Sequence, residues 1–95
     1  MRKTERYILQ LGVINFVRMP KGAQIISALY DGTMVVICAI VEKDNENEIR
    51  QIWVDKNGLS ILLTDKEIRF IGSVVVATSE IYHVFEILTP LPHWG

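Results

Sequence analysis

The dipeptide Asp31-Gly32 lies between two runs of apolar, β-forming residues within Ala23–Val41, AQIISALYDGTMVVICAIV. Asp-Gly in that setting is the strongest short-range signal for a tight hairpin, because both residues accept the positive φ that a two-residue turn demands. The turn predicts Tyr30 facing Thr33, Ala28 facing Val35, Ile26 facing Ile37 and Gln24 facing Ala39. The opposite side then carries Ile25, Ser27 and Leu29 against Cys38, Val36 and Met34. Both sides are mostly apolar, so the ribbon needs a cover on each: it is central in its sheet or meets a second subunit.

The rest of the chain reads as further short strands. Residues 1–6 form a charged, loose start, and Tyr7–Leu11 a first strand ended by Gly12. Val13–Met19 resumes the strand pattern, and Met19-Pro20-Lys21-Gly22 turns the chain into the hairpin, with proline at the first central position. Glu42–Glu48 is a polar loop joining two strands paired as a longer hairpin, and Ile49–Asp55 is the second of them. Asp55-Lys56-Asn57-Gly58 turns again, and Leu59–Thr64 is an irregular or short-strand segment covering one open end of the sheet, with a short helix over Leu59–Lys66 as the alternative. Ile68–Thr78 is a long strand in which Gly72 permits a bend or bulge. Ser79-Glu80 closes a hairpin onto Ile81–Leu88, whose Ile81, His83, Phe85 and Ile87 share one face; residues 89–95 form an extended tail. The expectation is one all-β domain of about seven strands, an antiparallel curled sheet closing into a barrel or sandwich, with at most one short helix.

Ninety-five residues suit one domain with a modest core. A net charge of −1 with mixed signs and no basic block argues against nucleic-acid binding, and no apolar run reaches the length of a membrane span. Cys38 is the only cysteine, so no internal disulfide can form, and within so apolar a strand it reads as a small buried hydrophobe. The apolar fraction of 49% in so small a body leaves β-surface for a partner, which favours a homo-oligomer.

The chain has no phosphate-binding glycine loop, nucleophile elbow, His-Glu-x-x-His or cysteine pair of zinc spacing, and only two histidines. No cofactor and no enzymatic activity are expected. His83 and Glu86 are three apart on one strand and so point to opposite faces. The candidate ligand contacts are Trp53 and Tyr30 for stacking on a flat group, Arg50 and Lys56 for meeting an anion, Arg18 and Lys21 around the Met19-Pro20 turn, and His83.

Met19-Pro20-Lys21-Gly22-Ala23, the aliphatic hairpin, Phe70-Ile71-Gly72-Ser73 and Tyr82-His83-Val84-Phe85-Glu86 together resemble a family of small tailed-phage proteins of unassigned function, over roughly Tyr7 to Glu86. Where members of that family carry a glycine- and histidine-containing loop, this chain has Asp55-Lys56-Asn57-Gly58-Leu59. The resemblance implies a phage accessory protein in the host bacterial cytoplasm that acts by binding. Such a protein sequesters a nucleotide immune signal as an oligomer, or else inhibits a host protein or serves as a structural phage component.

Overall fold

The computed structural model describes residues 1–77 and 79–89. It contains seven strands: β1 (Arg2–Leu9), β2 (Ile14–Pro20), β3 (Gln24–Tyr30), β4 (Val35–Glu42), β5 (Asn47–Lys56), β6 (Ile68–Val75) and β7 (Ile81–Ile87). Two antiparallel sheets pack as a sandwich, β1-β4-β3 against β2-β5-β7-β6, and no helix occurs among the described residues. The all-β expectation holds as a sandwich; the sheets do not close into a barrel. The tail from Pro90 and the hairpin residue Thr78 lie outside the described residues.

Alternation builds the core. Val35, Ile37, Ala39 and Val41 of β4 face inward against Ile52 and Val54 of β5 and Val84 of β7, with Leu9, Met19 and Val74 filling between them. β4 is the central strand of its sheet, as its two apolar sides require. On its outward side Val36 is wholly covered between its cross-strand partners Ile8 and Leu29, which are themselves exposed.

The hairpin is wider than Asp-Gly alone predicts. Tyr30 pairs with Val35 and Ala28 with Ile37, so the loop takes four residues, Asp31–Met34. The cause is the Asp31 carboxylate: its Oδ1 accepts the N–H of Thr33 at 2.9 Å and of Met34 at 2.7 Å, and holds the wider turn. These bonds also hold the Asp31 carboxyl below its ordinary range. A bulge at Ile26 then reverses the facing of β3, so that Ile25 joins Ala28 and Tyr30 on the core side and Gln24 turns outward. The expected pairings of Ile26 and Gln24 are thereby corrected.

Other corrections follow from pairing. Residues 2–6 are not loose, since they form the first half of β1, from Arg2 opposite Glu42 to Arg6 opposite Cys38. The Pro20–Ala23 turn has proline as its first residue rather than its second: the Ala23 N–H donates to the Pro20 carbonyl, and Gly22 supplies the positive φ of 81°. β4 and β5 do not pair, because β4 lies between β1 and β3 while β5 lies between β2 and β7; Lys43–Glu46 carries the chain from one sheet to the other.

Leu59–Thr64 is irregular, as one of the expected readings has it, and forms neither strand nor helix. β5 and β6 both run antiparallel to the intervening β7, so they are parallel, and the connection between them must return along the length of the sheet. It is anchored where the Asn57 N–H donates to the Ile81 carbonyl and where the Leu88 N–H donates to the Glu67 carbonyl. With the inner face filled by the core, this strap is left the outer side to cross, while Gln51, Asp55, Phe85 and Ile87 are buried on that face. Leu62, at 91% exposure, points away from the body.

Candidate functional site

The outer face of the larger sheet carries an aromatic row. Ile14, Trp53, Phe85 and Phe70 are successive cross-strand partners on β2, β5, β7 and β6. Phe85 packs against Trp53 and against Phe70, with ring centroids 5.7 Å apart in both pairs and Phe70 edge-on. Phe85 is buried by these neighbours, Trp53 is half-buried, and Phe70 is 58% exposed.

One step along the same face lies a polar row, Asp55, His83 and Ser73, again successive cross-strand partners. His83 Nδ1 is 2.7 Å from Ser73 Oγ, and His83 Nε2 is 2.9 Å from Asn57 Oδ1. A carboxamide oxygen only accepts, so Nε2 carries the proton and donates to Asn57, and Nδ1 accepts from the Ser73 hydroxyl. This chain fixes the imidazole while leaving the Asn57 amide nitrogen and both acceptor lone pairs of the Ser73 hydroxyl for a ligand. On the other side of the aromatic row from these polar residues, four residues along β2 from Ile14, Arg18 shares this face opposite Ile49, about 13 Å from the aromatic row at the usual strand rise. No carboxylate pairs with Arg18 among the described residues.

A second polar cluster faces inward at the far end of the same sheet. Glu86, largely buried, accepts from Arg50 Nε at 2.5 Å and Nη2 at 3.1 Å, and from Arg69 Nη2. Arg50 Nη1 donates to the Ala23 carbonyl at 2.7 Å and lies 3.6 Å from Glu48. Burial pushes the Glu86 carboxyl up, but the hydrogen bonds and charge of Arg50, with help from Arg69, outweigh it and leave it below its ordinary value. The cluster flanks a cleft of about 470 Å³ where β3 meets β6.

The residues singled out from the sequence therefore divide. Trp53, His83 and Arg18 share the outer face of one sheet. Arg50 is on its inner face, turned away from Trp53 and committed to Glu86, so those two cannot serve one ligand. Lys56 pairs with Glu80 at 2.9 Å and Lys21 with Glu46 at 3.6 Å, both at the surface. Tyr30 belongs to the other sheet, its hydroxyl donating to the Gly32 carbonyl, and offers no stacking surface beside Trp53. His83 and Glu86 do lie on opposite faces. Phe70, Phe85, Ser73 and Asn57 complete the outer site, and the sequence carried one signal for them: Phe85 and His83 alternate on β7, so whatever pairs with one row flanks the other.

No group of three or more His, Cys, Asp or Glu residues that could hold a metal ion occurs among the described residues, and no helix there is long and apolar enough to cross a membrane. Residues 1–92 match a domain of unknown function, DUF7352, and the chain belongs to that family. No curated protein and no solved structure matches it.

Proposed function

We propose that this protein is a non-enzymatic binding module, a phage accessory factor that sequesters a small nucleotide signal. The observation that carries the reading is the outer face of the larger sheet, where an exposed aromatic surface ends in a fixed Ser73–His83–Asn57 row and shares its plane with the unpaired Arg18. Aromatic faces stack on nucleobases irrespective of sequence, carboxamide and hydroxyl groups read a base edge, and an arginine meets phosphate. Ser73 sits on an open strand surface; the clefts at the β1–β2 and β3–β6 edges are lined by other residues, which suits holding a flat ligand better than attacking one. Assembly into a homo-oligomer is supported by the outward side of the central hairpin, where Ile8, Ile26, Leu29 and Met34 are exposed on the other sheet.

The test is a titration of cyclic dinucleotides, cyclic trinucleotides and ADP-ribose-type nucleotides into a Trp94→Phe variant, in which Trp53 is the remaining tryptophan. Saturable quenching of Trp53, lost in Phe70→Ala and weakened in Arg18→Gln, is the expected result. Absence of quenching and of calorimetric heat with every nucleotide at high micromolar concentration overturns the reading. A second reading, an inhibitor of a host protein or a structural phage component, is favoured by β1 and β2 standing at the edges of their sheets among the described residues.

A further inference from the structure

The sandwich is closed along one side and open along the other. Where β3 meets β6 the backbones nearly touch: a Cβ built on Gly72 would lie 3.5 Å from the Ala28 Cβ and 3.7 Å from its backbone nitrogen. Where β1 and β2 leave their connecting turn they splay into different sheets and leave a groove of about 630 Å³. Asn15 fixes the splay. Its Oδ1 accepts the Gln10 N–H at 2.8 Å and its Nδ2 donates to the Gln10 carbonyl at 3.1 Å, so a side-chain amide pairs with Gln10 as a neighbouring strand's peptide group would.

The phase of the hydrogen bonds shows what the groove offers. The Lys43 N–H donates to the Met1 carbonyl, so odd-numbered residues of β1 bond to β4, and Arg6 and Ile8 turn their N–H and C=O groups to the open edge, as Gln10 does toward Asn15. On β2 the Val13 carbonyl accepts from Val54 and the Lys21 N–H donates to Glu46, so odd residues bond to β5, and Ile14 and Arg18 face the opening. The edge stops at Pro20, which has no N–H.

The side chains along these edges are patterned. Next to the turn both edges are apolar, with Ile8 at 58% exposure and Phe16 at 44%; two residues further on each carries a cation, Arg6 and Arg18. Arg6 meets Asp31 only at 3.9 Å, and Arg18 has no carboxylate partner among the described residues. We propose that this groove accepts an extended segment of another protein by strand addition, and that the segment carries an acidic residue two positions from an apolar one. Main-chain hydrogen bonds supply the register-independent part of such binding, and alternate side chains supply the selectivity. A second copy of the chain is disfavoured as occupant, because pairing like edges sets arginines against arginines. The inference shares Arg18 with the nucleotide reading but rests on the open main-chain edges of β1 and β2, so protection of Arg6 and Ile8 by the peptide tests it separately from nucleotide quenching of Trp53.

The probes are short capped peptides of alternating valine and glutamate, and the same peptides with lysine in place of glutamate, measured by amide hydrogen exchange on the full chain. The glutamate peptide is expected to slow exchange at Arg6, Ile8, Ile14 and Arg18 and to leave their odd-numbered neighbours unchanged. Arg18→Glu is expected to weaken binding by at least about tenfold with an unchanged thermal midpoint, which separates lost recognition from lost folding. Three outcomes overturn the proposal: unchanged exchange with the glutamate peptide, equal protection by the lysine peptide, or slow exchange at those amides without any peptide.

Discussion

Replacing Glu86 by glutamine tests whether the inward charge cluster ties the two sheets together. The carboxylate is only 7% exposed and accepts three hydrogen bonds from two guanidinium groups, and Arg50 in turn reaches across to the Ala23 carbonyl on the approach to β3. Breaking a buried ion pair by removing one partner costs about 3–5 kcal/mol, because the other charge is left without compensation. Here Arg50 keeps Glu48 nearby and Arg69 is half-exposed and can turn to water, so the cost falls to or just below the bottom of that range, about 2–3 kcal/mol. For a chain this short, that is a fall in Tm of roughly 10–20 °C at pH 7. The pH dependence carries the sign. The folded-state pKa of Glu86 is depressed, so its contribution is fully present above the unfolded carboxylate range and is lost as pH falls through the folded value. Thermal unfolding of wild type and Glu86→Gln, followed by circular dichroism from pH 7 downward, should show a wide gap at neutrality that narrows in acid. A gap under about 2 °C at pH 7, or one that stays constant into acid, refutes the reasoning.

Four further outcomes follow from single positions. Gly72→Ala should be tolerated, since its new methyl meets Ala28 at ordinary contact distance, whereas Gly72→Val should cost about 1–3 kcal/mol in chemical denaturation by forcing β6 off β3. Ile52→Ala, at a wholly buried site, should cost about 2–5 kcal/mol, while Leu62→Ser on the exposed strap should stay within about 0.5 kcal/mol of wild type. Asn15→Ala, which removes bonds to Gln10, Val13 and Ile52, should lower stability by about 1–2 kcal/mol and speed amide exchange at Gln10. Asp31→Ala should lower the midpoint at pH 7 and erase its own acid-limb contribution, because the carboxylate bonds to Thr33 and Met34 that depress its pKa exist only in the folded loop.

The hairpin shows what pattern reading captures and where it stops. Apolar residues on both sides of the hairpin predict that it is central or covered by a partner; β4 does lie between two strands, but β3 is at the edge of the sheet and the outward Leu29 is exposed. The register does not follow, because a two-residue turn and a four-residue turn preserve the same facing, and only the Asp31 carboxylate decides between them. The bulge at Ile26 leaves less trace, since Ile25 and Ile26 are equally apolar and the choice of which one faces inward is made by the partner strand. The bulge at Gly72's neighbour Ile71, by contrast, was legible, because a glycine inside a strand needs a reason.

The residues singled out from the sequence divide between faces and sheets for reasons of strand phase and topology. Arg50 and Glu86 each occupy positions in phase with inward residues, Ile52 and Val54 on β5, Tyr82 and Val84 on β7. Two opposite charges in the buried phase of two strands are tolerable only if the strands bring them together, and the pairing of β5 with β7 does so, which takes Arg50 away from the face that carries Trp53. What alternation could not give is that β5 and β6 are parallel with β7 between them, which lays Leu59–Thr64 across the outer face instead of at its end. Within the aromatic row Phe85 is buried between Trp53 and Phe70, and Phe70, on the edge strand, is the ring with most surface to give. A ligand stacking on this face therefore meets Phe70 first, from the β6 side, and Phe70→Ala removes that surface without touching the core.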